Sequence, residues 1–335
     1  MLVNDASQIV AMTDLPVEWM MVDGVPLGFS HDVCRIPETP PTGMLAQYVE
    51  ARYIPYTIPK DIMQRTLVVY GNEEEAFVEA QQPVNELSVK LGFRICKCLS
   101  KADFFRTMKE VNPEFLVIDC HGGVDENTRR SFLMMGDDCV IGEDIIANGI
   151  HPRLVFLSAC KTFTTYNTVS TIANAFFQTG AASVITSYMS LEVMPSTILY
   201  CRLLNNLNHA ARNPVHFNWL SFMSHLLRTS YIEDPLEQTV GKKGMLSKEQ
   251  LMNLSNLQTE SMRFSKRREI YNNLNTNSFT KSLGVDYKYV IPHYLMYSIL
   301  GRADLVRFEV MMEKACGVSM KEISEINKNK TVKKT

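Results

Sequence analysis

The sequence predicts an α/β fold, with a mostly parallel central sheet and helices on both faces. Three observations carry this. Short runs of β-branched and apolar residues at 66–70, 115–120, 154–159 and 182–187 lack the polar alternation of a half-exposed strand, so both their faces must be covered. Stretches with apolar residues at helical spacing stand between those runs, as the crossovers of a parallel sheet require. The chain has 335 residues, 46% hydrophobic and 21% charged, which is ample for a large core.

In chain order, residues 1–62 form a proline-rich lead-in, with Pro16, Pro26, Pro37, Pro40, Pro41, Pro55 and Pro59. Its short apolar pieces, such as Trp19-Met20-Met21-Val22 before the turn Asp23-Gly24, are expected to add edge strands or wrap the core. Thr66-Leu67-Val68-Val69-Tyr70 reads as a buried strand ended by Gly71-Asn72. A helix follows over 73–91, its stripe made by Ala76, Phe77, Ala80, Val84, Leu87 and Val89, with Pro83 expected to kink or interrupt it. Residues 93–96 read as a strand and 101–111 as a helix with Phe104, Phe105 and Met108 on one face. The strongest strands are 115–120 and 154–159. A helix at 168–178 stops at Gly180, and the strand 182–187 and the helix 195–207 follow. Residues 208–286 read as a polar insertion, a solvated loop carrying Lys242-Lys243 and Lys266-Arg267-Arg268. An apolar strand is expected at 287–292, the core resumes over 287–320 to complete 63–207, and 321–335 reads as a disordered basic tail.

Charge and composition exclude several functions. Lysine plus arginine (34) nearly cancels aspartate plus glutamate (36), so the basic footprint of a nucleic-acid binder is missing. No apolar run approaches the roughly 20 residues of a membrane span. The opening MLVNDASQIVAMTD lacks the basic start and apolar stretch of a secretory signal, so a cytoplasmic location is expected. Eight cysteines at this length are too sparse for a disulfide scaffold and read as reduced thiols.

Two of the strand ends carry reactive groups. His121-Gly122-Gly123 follows 115–120, and Cys160 follows 154–159. Ligands and chemistry gather at the carboxyl ends of strands in an open parallel sheet. A thiol and an imidazole at neighbouring ends suit a nucleophile and its general base. Glycine after the histidine permits close backbone approach, so the N–H groups of Gly122 and Cys160 can face a developing oxyanion. No metal or cofactor is expected. Cys96-Lys97-Cys98 finds no second pair to complete four zinc ligands, and Gly71-Asn72-Glu73 lacks the pattern of a phosphate loop.

The paired blocks FLVIDCHGG and LVFLSACKT resemble the signature of the caspase-like cysteine peptidases, in the form found in CHAT domains. Similarity extends upstream to LVVYGNEEEA and downstream through Gly180-Ala181-Ala182-Ser183-Val184-Ile185 to VIPHYLMYSILGRADL, covering roughly 65–205 and 287–305. The resemblance implies a caspase-like three-layer sandwich and a cysteine endopeptidase, with Cys160 as nucleophile, His121 as base and acid, and Gly122 and Cys160 as the oxyanion hole. It implies a substrate pocket on the loop 187–192, from Ser187, Tyr188, Met189 and Glu192, with Asp119 as a pocket or structural residue. Tyr188, Met189 and Leu191 suit a bulky apolar side chain of the substrate, and Glu192 a basic one. Ser158-Ala159-Cys160-Lys161-Thr162 lacks the glutamine and glycine of the caspase pattern, so aspartate specificity is not expected. A regulated bacterial defence or death response, a protein or peptide substrate and a separate activator are further implications. The alternative is a catalytically silent caspase-fold module that binds a partner protein.

Overall fold

The computed structural model describes residues 6–38, 40–53, 56–163, 168–243, 247–275 and 293–316. The strand expected at 287–292 and the tail at 321–335 lie outside the described residues. Eight strands make the main sheet: β1 (Gln8–Met12), β2 (Asp32–Ile36), β3 (Thr66–Tyr70), β4 (Arg94–Lys97), β5 (Phe115–Asp119), β6 (Leu154–Ser158), β7 (Ser183–Ser187) and β8 (Tyr297–Gly301). Their spatial order is β1-β2-β8-β7-β6-β5-β3-β4. The five from β7 to β4 are mutually parallel, β8 runs antiparallel to β7, and β2 and β1 continue parallel to β8. The lead-in therefore supplies two strands at one edge.

Strands β3, β5, β6 and β7 are buried along their whole length, as their unbroken apolar runs require. Alternation along them sends side chains to opposite faces. Val68, Val117, Phe156 and Ile185 enter one core, covered by the helices α1 (Glu75–Leu91), α5 (Val193–Ala210) and α6 (Trp219–Lys243). Leu67, Leu116, Val155 and Val184 enter the other, covered by α2 (Lys101–Val111), α3 (Gly142–Ala147) and α4 (Ile172–Gln178). This is the three-layer arrangement. Ser100 and Thr171 cap α2 and α4 by accepting from the Asp103 and Asn174 amides, and Gly92 closes α1 in the left-handed region at φ 80°. Helix α1 runs through Pro83 without ending there, and it buries Phe77, Ala80 and Val84 but leaves Ala76 and Val89 of the expected stripe exposed on its outer side.

The polar reading of 208–286 is corrected. Helix α6 buries Trp219, Leu220, Met223, Leu226 and Leu227 in the first core, against Phe115 and the helix α5. Its apolar residues recur three and four apart, but His216, His225 and Arg228 raise the polarity of the segment and hide that stripe. Two further helices follow, α7 (Lys248–Glu260) and α8 (Arg267–Asn275). In the basic cluster Arg267 is buried and ion-paired with Asp32 at 3.0 Å, while Lys266 and Arg268 pair with Glu269 and Asp23.

Candidate active site

Strands β5 and β6 are neighbours in register, with Asp119 opposite Ser158, and the Cys120 amide donates to the Ser158 carbonyl at 3.2 Å. His121 and Cys160 each stand two residues beyond that pair, so they leave the sheet from adjoining carboxyl ends. After His121 the chain enters an antiparallel ribbon of Gly122–Val124, Ser131–Met135 and Asp138–Ile141. The Met134 amide donates to the His121 carbonyl at 2.9 Å. Alternation of bonded and non-bonded pairs then puts Gly122, opposite Leu133, at a position whose N–H turns away from the ribbon.

Gly122 is pressed onto the backbone at Cys160. A Cβ there would lie 2.6 Å from the Cys160 carbonyl oxygen, 3.1 Å from the Ala159 Cβ and 3.2 Å from the Cys160 nitrogen. Only hydrogen fits. The Cys160 N–H donates to no backbone or side-chain acceptor among the described residues. Directly after it, Lys161 holds a left-handed φ of 51°, unusual for a residue with a side chain.

The His121 side chain is 46% exposed, and its Nε2 meets Glu74 Oε1 at 2.7 Å, with the ring edge-on to Phe77 at 5.0 Å. Glu74 precedes α1 and follows β3, which neighbours β5. Three successive strand ends thus supply Glu74, His121 and Cys160. The Cys160 thiol is half-buried; its Sγ accepts from the Leu191 amide at 3.2 Å and lies 3.8 Å from the Leu191 carbonyl. No hydrogen bond joins His121 to Cys160 in this state.

The loop 187–192 is laced to the cysteine segment. Ser187 Oγ donates to the Ala159 carbonyl at 2.7 Å, the Lys161 amide to the Met189 carbonyl at 3.2 Å, and the Phe163 amide to the Ser187 carbonyl at 3.0 Å. Ser187 is fully buried, so its predicted place in a substrate pocket is corrected: it braces the loop. Tyr188 is half-buried among Trp19, Phe163 and Arg35, with its ring 5.2 Å from Trp19 and 5.1 Å from the guanidinium carbon. Met189 and Glu192 are exposed beside the thiol loop.

Of the two places expected for Asp119, pocket or structural, its surroundings are those of the structural one. It lies beneath the surface, 1% exposed, and accepts from Gln81 Nε2, Tyr200 Oη and Ser158 Oγ, each at 2.9 Å. Strand β5 ends at Asp119, so alternation does not carry its direction on to His121. Burial pushes the Asp119 carboxyl above its ordinary range, against the pull of its three donors. Ser158 continues the network to Ser196, and Ser196 to Tyr297. This buried web ties α1, α5, β5, β6 and β8 together beneath the strand ends that carry His121 and Cys160. Glu74 and the Leu191 amide are contributions that the sequence reading missed. Glu74 sits in the run Glu73-Glu74-Glu75, where nothing local distinguishes it.

Burial pushes Cys34 up to about 12 and raises Cys98, Cys120 and Cys201 as well, so their thiolates are scarce near neutrality. Cys139 is exposed on the ribbon.

Residues 72–215 match the family model of the CHAT domain. This segment is a CHAT domain. Its match begins just after β3 and ends before α6, so β8, the edge strands and the helices α6 to α8 lie outside it. A search of curated proteins found no match. Among solved structures, the Arg-specific cysteine proteinase gingipain R is similar, with a TM-score of 0.52 at 11% identity over 90% of this chain and 64% of that one. The chain thus spans less than two thirds of gingipain R. A complex of the Porphyromonas gingivalis RgpB pro- and mature domains gives a TM-score of 0.46 at 11% identity, over 90% and 66% of the two chains. At 11% identity the likeness to gingipain R establishes the fold alone. The CHAT domain here sits within a caspase-like α/β sandwich of the gingipain kind, and no described helix is long and apolar enough to cross a membrane.

Proposed function

We propose that the protein is a cysteine endopeptidase working through His121 and Cys160. The observation that carries this is the contact of Gly122 with the Cys160 backbone, which brings the two reactive strand ends together with their N–H groups uncovered. His121 swings from Glu74 and takes the Cys160 proton, and the thiolate attacks the scissile carbonyl. The Gly122 and Cys160 N–H groups receive the oxyanion, His121 returns the proton to the leaving amine, and water hydrolyses the thioester. Met189 and Glu192, exposed beside the thiol, would meet the substrate residue on the acyl side. A protein substrate, a separate activator and a defence or death setting accompany this reading as implications of the family resemblance.

The test is modification by a thiol-reactive peptide electrophile, read by mass. A single adduct on Cys160, absent in Cys160→Ala and slowed in His121→Ala, is expected. Exposed Cys139 is the internal control. Equal modification of Cys139 and Cys160 would sink the proposal.

A second reading, a catalytically silent module that binds a partner, is favoured by one observation: the imidazole bonds Glu74 and not the thiol. A peptide library left uncleaved by the unmodified protein, with no selective modification of Cys160, would point to it.

A further inference from the structure

On the face of the sheet covered by α6, a cavity of about 660 Å³ opens between the lead-in and the helices, away from His121 and Cys160. The lead-in contributes Gln8 and Asp32, the approach to α6 contributes Val215 and Phe217, and the segment before α8 contributes Met262 and Phe264. His225 and Arg267 complete its wall. Its size lies in the range of small-molecule sites, roughly 300–1,000 Å³.

The charges around it do not balance. Asp32 is shared by two guanidiniums, Arg228 at 2.7 Å and Arg267 at 3.0 Å. Among the described residues lining the cavity, Asp32 is the only acid. Burial holds His216 and His225 neutral near pH 7, pushing them down to about 4 and about 3, and the Arg228 charge acts the same way on both. Two cations and one anion therefore leave one positive charge in a desolvated setting. Such a charge is costly unless an anion answers it.

Unused donors belong to the residues of this wall and to Arg228, which lies behind it on the far side of the shared Asp32. Arg228 is fully buried, spends Nε on the Phe29 carbonyl and Nη2 on Asp32, and leaves Nη1 without a partner. Arg267 spends Nε on the Ser261 carbonyl and Nη1 on Ser30 and Asp32, and Nη2 makes no hydrogen bond among the described residues. His225 Nδ1 is buried with no partner. Opposite this polar end, Phe217, Phe264, Met262 and Val215 offer an apolar wall.

We propose that the cavity binds a small organic anion, with its carboxylate or phosphate group at Arg267 and an apolar or aromatic body against Phe217, Phe264 and Met262. The site is independent of the peptidase reading, because no residue of the dyad lines it. An anionic group supplies the missing charge and accepts from Arg267 Nη2, and the apolar wall takes the rest of the molecule.

Isothermal titration of the full chain with benzoate, phenyl phosphate and benzyl alcohol tests this. At least one anion is expected to bind with a Kd at or below about 1 mM. Benzyl alcohol, which matches the ring without the charge, is expected to bind at least about tenfold more weakly. Benzoate against phenyl phosphate separates carboxylate from phosphate. Arg267→Gln is expected to erase the preference for the anion. Should that variant fail to fold, Val215→Trp, which fills the cavity from a partly exposed position, is expected to weaken both anions by at least about tenfold. Equal binding of the alcohol, unchanged binding by Val215→Trp, or no binding of either anion up to about 10 mM would overturn the proposal.

Discussion

Adding one methyl group at Gly122 would test the closest contact of the site. The Cβ of Gly122→Ala would lie 2.6 Å from the Cys160 carbonyl oxygen and 3.1 Å from the Ala159 Cβ. Carbon contacts are comfortable near 3.5 Å, so the two strand ends must part by roughly half an ångström or more. The oxygen belongs to backbone held by the Ser187–Ala159 and Lys161–Met189 bonds, so no flexible side chain can absorb the shift. Overpacking of this kind costs about 1–3 kcal/mol. For a chain of 335 residues, that lowers the melting temperature by roughly 1–5 °C. Reactivity should suffer more, because misplacing a reacting group by about 1 Å can cost about 100-fold. The assay is the rate of Cys160 modification by a peptide electrophile, followed beside the melting temperature, with Cys160→Ala as the blank. Wild-type rate and melting in Gly122→Ala would refute the contact, and with it the argument that Gly122 belongs to the site.

Asp119→Ala should destabilise the fold by about 3–5 kcal/mol in urea unfolding, since three buried donors lose their acceptor, while Asp119→Asn should cost under about 1.5 kcal/mol. Trp219→Ala should cost about 3–5 kcal/mol, because the indole is fully buried against Phe115 and Phe222; a loss below about 1 kcal/mol would restore the solvated-loop reading. His216 and His225 are held below the ordinary 6.5, to about 4 and about 3, so the unfolded chain binds their protons first. Their contribution is complete above about pH 6.5 and falls as pH drops towards 4, by about 1.4 kcal/mol per pH unit for each. His225→Phe should make the pH dependence of the urea midpoint shallower between pH 6.5 and 4.5, and an unchanged slope would contradict it.

The α/β layering was legible because its signal is local. The strands β3, β5, β6 and β7 are unbroken apolar runs, and each run fits only a strand covered on both faces. His121 and Cys160 were legible for a related reason: each follows such a run, where a parallel sheet presents its reactive edge. Helix α6 was obscured by composition, since Arg228 and His225 look like surface residues until Asp32 and the core are seen around them. Ser187 was read with the loop 187–192, but it is the last residue of β7 and its hydroxyl turns inward to the Ala159 carbonyl.

Sequence alone therefore determined the kind of layers, the two strand ends that carry imidazole and thiol, and the glycine between them. Those features follow from periodicity and residue chemistry, which act over a few neighbours. Tertiary structure decided which charges are buried, that Glu74 faces His121, that the Leu191 amide meets the Cys160 thiol, and that Asp32 answers two arginines. Each of these depends on groups far apart in the chain meeting in a desolvated place, where distance and burial, not spacing in sequence, set the energy.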